Sequence, residues 1–370
     1  NMSNLELMIT DHKLRVGIIG AGGGVAAVHF QAYQELNCIE VVAGAELNEA
    51  ALVDITLKWG VKGYLDFEEM LKVEQLDIVC ICVPARYHRE VAEKAAEYKV
   101  HVLIEKPLAT NLIDGQAILE ACQRNGVKLY YGASYRTLTA NIKAREMIRN
   151  GDLGEISMAM ESVIGGEGLD SYKECGAHHY ARGTPGGCGM GIVDHGVHLI
   201  DLFCWFLDTE VDTVFGRGNI SGEAPASEHL TATFKNGTVV HLIANTISFS
   251  AQLPTEGVFR WGGSWDPEGN LSLDPGWASN PASFQIHGSK GALKVYPYAE
   301  QLIYFAKDTV KPIRLEQRPM PKNFALQMES FVDSIVNNRP PAVTGKDGMR
   351  ALEIILAAYK SAEKQQLIKL

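Results

Sequence analysis

Lys106 stands between Glu105 and Pro107 where an apolar run ends, and much later Asp194-His195-Gly196-Val197-His198 follows the glycine-rich stretch at Gly186-Gly187. A lysine at a strand end can share a proton with a neighbouring group, and an aspartate and a histidine four residues apart lie on one face of a helix, where both can meet one substrate. Upstream, Gly20-Ala-Gly22 separates a strand pattern from a helical one. The missing side chains let the backbone approach a pyrophosphate, whose charge the amides of a helix N-terminus meet. A proton-handling trio downstream of a dinucleotide turn predicts hydride transfer, with Lys106, Asp194 and His198 as the catalytic candidates.

The turn departs from the G-x-G-x-x-G pattern. Gly23 and Gly24 follow Gly22, Val25 takes the place of the third glycine, and Ala26 is the next small residue, which implies one extra residue in the turn. Gly20, Gly22, Gly23, Gly24 and Val25 are the expected cofactor contacts; the plainer reading is an ordinary tight turn. Glu46, roughly 20 residues further on, is placed to accept hydrogen bonds from the adenosine ribose, or else is a solvated loop carboxylate. Leu47 beside it offers no cation to a 2′-phosphate, so NAD is expected over NADP.

These groups need elements to hold them. Lys13 to Ile19 reads as a buried strand, Val25 to Tyr33 as a helix, Ile39 to Ala45 as a strand and Asn48 to Trp59 as a helix. Asp77 to Val83 is an apolar strand closed by Pro84, followed by a helix over Tyr87 to Tyr98, a strand over Val100 to Ile104, a helix over Leu112 to Asn125 and a strand over Lys128 to Gly132. All-apolar strands alternating with helices mean a parallel sheet covered on both faces, an α/β, doubly wound Rossmann domain over residues 1–135. After a helix at Thr139 to Arg149 the pattern changes to strands divided by glycine-rich turns, among them Thr213 to Gly218, Glu228 to Lys235, Thr238 to Ile247 and Ser283 to His287. Phe324 to Asn337 and Gly348 to Lys364 read as closing amphipathic helices. Residues 136–370 are therefore expected to form an α+β domain with a large, mainly antiparallel open sheet that serves substrate binding and self-association. Its last helices are expected to pack back toward the Rossmann domain. The stretch 249–281, rich in Gly, Pro, Ser and Trp, interrupts that domain as lids and assembly elements do.

At 370 residues the chain exceeds one ordinary core, which agrees with two domains. Hydrophobic residues at 46% and charged ones at 21% describe a soluble globular protein, and no apolar run approaches the roughly 18 residues that span a bilayer. The net charge of -10, without long single-sign runs, disfavours a nucleic-acid partner, which needs clustered Lys and Arg. Seven cysteines lacking a paired framework read as reduced thiols, Cys80 and Cys82 as core residues of a strand. No basic segment followed by an apolar stretch opens the chain and Asn1 ahead of Met2 reads as a cloning remnant, so a cytoplasmic location is expected.

In order along the chain stand Gly20-Ala-Gly22, Asp77-Ile-Val-Cys-Ile-Cys-Val-Pro84 with His88, Glu105-Lys106-Pro107-Leu108-Ala109 and Tyr135-Arg136. Gly186-Gly187 then leads to Asp194-x-Gly-x-His198-x-x-Asp201, and Gly345-Lys-Asp-Gly-Met-Arg-Ala-Leu-Glu353 closes the set. Together they resemble the Gfo/Idh/MocA family (glucose-fructose oxidoreductase, inositol dehydrogenase, rhizopine catabolism) over nearly the whole chain. The resemblance implies that Lys106 polarises the reacting hydroxyl, that His198 removes or returns its proton, and that Asp194 binds substrate hydroxyls or supports the histidine. It adds Val83, Pro84, Arg86, His88, Glu105 and Lys106 to the cofactor contacts, with Cys82 standing where Thr or Ser is frequent and Arg86 where Asn is. The plainer readings are a surface salt-bridge lysine and a core histidine.

Tyr135, Arg136, Asp194, His195 and His198 are expected at the substrate. His178-His179-Tyr180-Ala-Arg182 lies where the family varies its contacts, so His179, Tyr180 and Arg182 join them, unless that stretch is an exposed loop. No metal is expected, because H-x-x-H lacks an i, i+4 pair and a suitably spaced cysteine. Trp261, Trp265 and Trp277 suit either a sugar face or a subunit contact. The implied activity is NAD-dependent oxidation of a secondary hydroxyl of a sugar, glycoside or cyclitol to a ketone. A redox-neutral glycosidase of the same family and a non-catalytic sensor of NAD or a sugar are the alternatives. The second face of the open sheet has no helical layer to cover it, so a homodimer, or the homotetramer the resemblance implies, is expected through that sheet.

Overall fold

In a computed structural model the described residues are 13–164, 192–218, 227–245, 283–316 and 321–370. The chain divides into two compact units, Asn1–Ser134 with Pro319–Met349, and Tyr135–Arg318 with Arg350–Leu370.

Among the described residues the first unit holds six parallel strands: β1 (Leu14–Ile19), β2 (Ile39–Ala45), β3 (Lys62–Tyr64), β4 (Ile78–Ile81), β5 (His101–Ile104) and β6 (Leu129–Tyr131). Their spatial order is β3-β2-β1-β4-β5-β6. The order reverses between β1 and β4, and at such a switch point a crevice opens beyond the carboxyl ends of the strands. All four side chains of β4 are fully buried, as a strand covered on both faces requires, which is why it reads in sequence as one apolar run. Helices α1 (Gly24–Tyr33), α2 (Glu49–Trp59), α3 (Phe67–Val73), α4 (His88–Glu97) and α5 (Leu112–Asn125) connect the strands. Local chemistry sets their ends: Asn48 and Asn111 accept the Ala51 and Asp114 amides at the starts of α2 and α5, and Gly60 and Gly126 close those helices in the left-handed conformation. β3 is short and largely exposed and α3 has seven residues with only Met70 and Leu71 buried, so they carry too little apolar period to be read from sequence. Helix α8 (Lys322–Val336) belongs to this unit, its Phe331 ring 5.4 Å from that of Tyr130.

Among the described residues the second unit has a nine-stranded sheet, helices α6 (Thr139–Arg149) and α7 (Val197–Leu207), and most of the closing helix α9 (Gly345–Lys364). The strands are β7 (Ile156–Ile164), β8 (Val211–Gly218), β9 (Ser227–Phe234), β10 (Val239–Asn245), β11 (Phe284–Gly288), β12 (Gly291–Tyr296), β13 (Gln301–Ala306), β14 (Thr309–Arg314) and β15 (Ile368–Lys369). They lie in the order β14-β13-β12-β11-β7-β10-β9-β8-β15, with β7 and β10 parallel and the other neighbours antiparallel. Leu230, Ala232 and Phe234 alternate with Thr231 and Thr233, so one face of the sheet is apolar and packs on Phe203 and Phe206 of α7. The other face carries Met158, Met160, His241, Gln285 and Lys294, all half-buried. β7 and the β13–β14 hairpin escape a sequence reading. β14 carries Pro312 in an exposed outer strand, where a missing N–H breaks no ladder.

Candidate active site

In the first unit the glycines after β1 form a cradle. Gly20 has φ +79, and a Cβ on it would lie 2.7 Å from the Val83 amide nitrogen. Its N–H and that of Ala21 both donate to the Ala45 carbonyl at 3.0 Å, which pulls the turn against the end of β2. Gly23 precedes α1 and no side chain caps the helix, while Gly22, Gly23 and Gly24 are exposed and Val25 is half-buried. That is the arrangement in which helix amides receive a phosphate. Glu46 accepts the Gly22 N–H at 2.9 Å and the Asn48 N–H at 3.0 Å.

A cavity of about 490 Å³ adjoins the cradle, lined by Gly20, Glu46, Val83 and Pro84 and by Leu65 and Tyr87, which the sequence did not single out. Glycines that a Cβ would obstruct, an acidic side chain at the end of β2 and an apolar wall fit an adenine dinucleotide. Arg86 is exposed, its guanidinium 4.8 Å from the centre of the Tyr87 ring. His88 is buried between the carbonyls of Leu108, at 3.1 Å, and Val83, at 2.9 Å, and burial holds its pKa below the usual imidazole range. It ties the turn after β4 to the turn after β5. Lys106 follows β5, half-buried, with a cis bond to Pro107, and its N–H donates to the Glu105 carboxylate at 3.2 Å.

In the second unit the D-x-G-x-H motif does not begin as an α-helix. Ile192–Gly196 is a π-helical turn that runs into α7, and single π turns occur frequently at functional sites. Two carboxylates from the buried face of the sheet grip it. Glu228 accepts the Ile192 N–H at 2.8 Å, and His195 Nε2 donates to Glu161 at 2.9 Å. The Tyr135 ring stacks on His198, centroids 4.4 Å apart and planes 12° from parallel, and receives the Tyr298 hydroxyl proton on its own oxygen at 2.7 Å. The His195 and His198 rings lie 6.4 Å apart. Arg136 is buried and donates twice to Asp201, at 2.7 and 2.6 Å.

Tyr135, His195 and His198 therefore come together, while the guanidinium of Arg136 is committed to Asp201. The Asp194 side chain, His179, Tyr180, Arg182 and the three tryptophans of 249–281 lie outside the described residues. Glu161 and Tyr298 were missed, because each is a single polar residue in a strand or loop with no motif around it.

Residues 14–133 match the family profile described as the oxidoreductase family, NAD-binding Rossmann fold, and residues 145–370 match its C-terminal alpha/beta domain. The chain is 24% identical over 367 residues to the myo-inositol 2-dehydrogenase of Thermotoga maritima, covering 96% of this chain and 98% of that protein. It is 28% identical over 204 residues to the D-glucoside 3-dehydrogenase of Escherichia coli, covering 55% and 56%. Among solved structures, the aldose-aldose oxidoreductase of Caulobacter crescentus with glycerol shares the fold at a TM-score of 0.78 and 21% identity, over 97% of this chain and 100% of that one. The scyllo-inositol dehydrogenase of Lactobacillus casei, with bound NAD(H) and scyllo-inositol, does so at 0.74 and 20%, over 97% and 99%. With both domain profiles matched and the glycine cradle in place, the chain belongs to the Gfo/Idh/MocA family of NAD-binding oxidoreductases.

Proposed function

We propose that this oxidoreductase is an NAD-dependent dehydrogenase that converts a secondary hydroxyl of a sugar, glycoside or cyclitol to a ketone. The observation that carries the reading is the imidazole of His198, stacked on Tyr135 beside the His195–Glu161 pair, on the motif that follows the NAD-binding domain. NAD, when bound, supplies the hydride acceptor. Gly20, Gly22 and the first amides of α1 would hold its pyrophosphate, and Glu46, which accepts the Gly22 amide, would accept the ribose hydroxyls. Glu46 with Leu47 beside it favours NAD over NADP, since a 2′-phosphate would meet a carboxylate and no cation.

Lys106 stabilises the alkoxide that develops as the hydroxyl loses its proton, and His198 Nδ1 or Nε2 receives that proton as general base. Tyr135, fixed by the Tyr298 hydroxyl, holds the plane of the His198 ring. His195, oriented by Glu161, and Asp194 bind neighbouring hydroxyls of the substrate, with His179, Tyr180 and Arg182 selecting among epimers. Residues 1–135 serve the cofactor in this reading and residues 136–370 the substrate and self-association. A panel of sugars, methyl glycosides and inositols with NAD, followed at the nicotinamide absorbance, tests it. Reduction of NAD by at least one polyol is expected. Loss of substrate without net NADH would redirect the reading to elimination chemistry, and no reaction with any polyol would end it.

A further inference from the structure

Beneath the Gly20 turn of the first unit, a buried chain of polar side chains links α1 to the Lys106 turn, and nothing in the reaction above calls on it. His29, in the middle of α1, is fully buried. Its Nδ1 lies 2.8 Å from the Tyr33 hydroxyl and its Nε2 donates to Glu105 Oε1 at 2.7 Å. The other oxygen of Glu105 accepts the Lys106 N–H at 3.2 Å. At the far end the Tyr33 hydroxyl donates to Cys80 Sγ at 3.7 Å, and Cys80 Sγ is 3.7 Å from Cys82 Sγ.

An aliphatic side chain would fill a helix-core position without the cost of burying an imidazole and a carboxylate, a cost that is tolerable only when each is paired. Here each is, and the surroundings are shaped to keep them so. The Phe324 ring closes over His29 edge-on at 4.9 Å. Gly132 leaves room for the carboxylate, since a Cβ there would lie 2.9 Å from the Ile104 carbonyl and 3.4 Å from Glu105 Cδ. Ligand-type atoms of His29, Cys80 and Cys82 lie within 4.8 Å of one another, yet both nitrogens of the ring are engaged by Tyr33 and Glu105, so the cluster is a hydrogen-bond chain.

We propose that His29 is a positioning residue for hydride transfer: it holds the Glu105 carboxylate, which in turn holds the backbone turn that presents Lys106. The inference rests on the reading of Lys106 given above. A displacement of about 1 Å at a reacting group is enough to cost two orders of magnitude in rate, so a histidine that never touches substrate can govern turnover.

The test compares wild type, His29→Leu, His29→Gln, Glu105→Gln and the double variant His29→Leu/Glu105→Gln, each as the full chain. Where leucine prevents folding, His29→Asn, polar but too short to reach Glu105, takes its place. The kcat of His29→Leu is expected to fall by about 10-fold or more while the Kd of NADH, read by its fluorescence, stays within about 2-fold. His29→Gln, whose amide can still donate to Glu105, should recover most of the loss. The double variant should be little worse than Glu105→Gln alone, because both changes break one linkage. A readout free of turnover is the rate of reductive methylation of Lys106, mapped by peptide mass. It should change in His29→Leu while the exposed Lys62 labels as before. Altered labelling combined with an active Lys106→Ala enzyme would remove the reading of Lys106 and leave the positioning intact. Unaltered labelling and kcat in a folded His29→Leu, fully multiplicative losses in the double variant, or no recovery with glutamine would each overturn the proposal.

Discussion

Lys106 and His198 are the residues on which turnover should depend most. Lys106→Ala and His198→Ala are each expected to lower kcat by about 100-fold or more with NAD affinity retained, because in the proposed reaction both act on the transferring proton and neither on the adenosine half. Near wild-type turnover in either variant would cancel that role. For Glu46 the proposal concerns a different property, the choice of cofactor. Glu46→Ser with Leu47→Arg removes the carboxylate from the Gly22 amide and adds a cation, and the ratio of kcat/KM for NADP over NAD should rise. An unchanged ratio would mean that Glu46 does not reach the ribose.

His29 carries a pH signature as well. Burial alone would lower its pKa from 6.5, but Cys80 and Glu105 beside it raise it to about 10. Burial alone would raise the Cys80 thiol, but Cys82 and His29 bring it down from 9.0 to about 6. A raised imidazole gives stability that is complete below roughly pH 6.5 and lost as pH climbs toward 10, whereas a lowered thiol gives stability that is complete above roughly pH 9 and lost as pH falls toward 6. Over the shared window the two slopes oppose, and wild-type stability should be nearly flat. Cys80→Ala removes the opposing thiol slope and also the largest influence that raises His29, leaving Glu105 alone to hold the imidazolium, so the pH dependence of its urea midpoint between pH 6.5 and 9 should differ from that of the wild type. Parallel pH curves for the two proteins would refute the pairing.

At the scale of elements, the π turn Ile192–Gly196 and α7 carry the motif, and the sheet holds them in place from below. Glu228 and Glu161 fix the turn, and Arg136 fixes α7 through Asp201. Arg136 and Asp201 are 5% and 1% exposed, so removing one takes from the other, a buried charge, its two-point ionic partner. Breaking such a pair costs about 3 to 5 kcal/mol. Asp201→Ala should lower unfolding stability by about that amount in urea titrations, and a loss under about 1 kcal/mol would show that Arg136 has a better partner than the geometry assigns.

At the scale of the whole molecule, the face of the nine-stranded sheet opposite α7 is the property that demands a consequence, since none of the described helices is seen to pack on it. Met158, Met160, His241, Thr231, Gln285 and Lys294 line up across β7, β10, β9, β11 and β12, mixed in polarity and half-buried, with Phe305 of β13 exposed beyond them. A broad half-apolar sheet face is a liability in a free monomer. Two copies are expected to pair through it, and Met160→Glu with Phe305→Glu should weaken the pairing. Light scattering at micromolar concentration reads the outcome; a monomer mass for the wild type would dismiss it.

What the sequence determined by itself is whatever a contiguous run of residues can specify. The apolar run Ile78–Ile81 demanded a strand buried on both faces, the glycines from Gly20 demanded a turn open to phosphate, and Asn111 and Gly126 set the ends of α5. Each is a local pattern of period, missing Cβ or cap. The tertiary structure decided what single residues far apart become when brought together. Glu161 is one carboxylate in a strand and His195 lies 34 residues away, His29 and Glu105 are 76 apart, and Tyr298 and Tyr135 are 163 apart. No spacing rule links such pairs, because folding alone sets their distance. The π turn is a further case: Asp194 and His198 read as an ordinary helix face, while the segment Ile192–Gly196 is a π turn bonded to Glu228 and Glu161, partners that one stretch of sequence cannot contain.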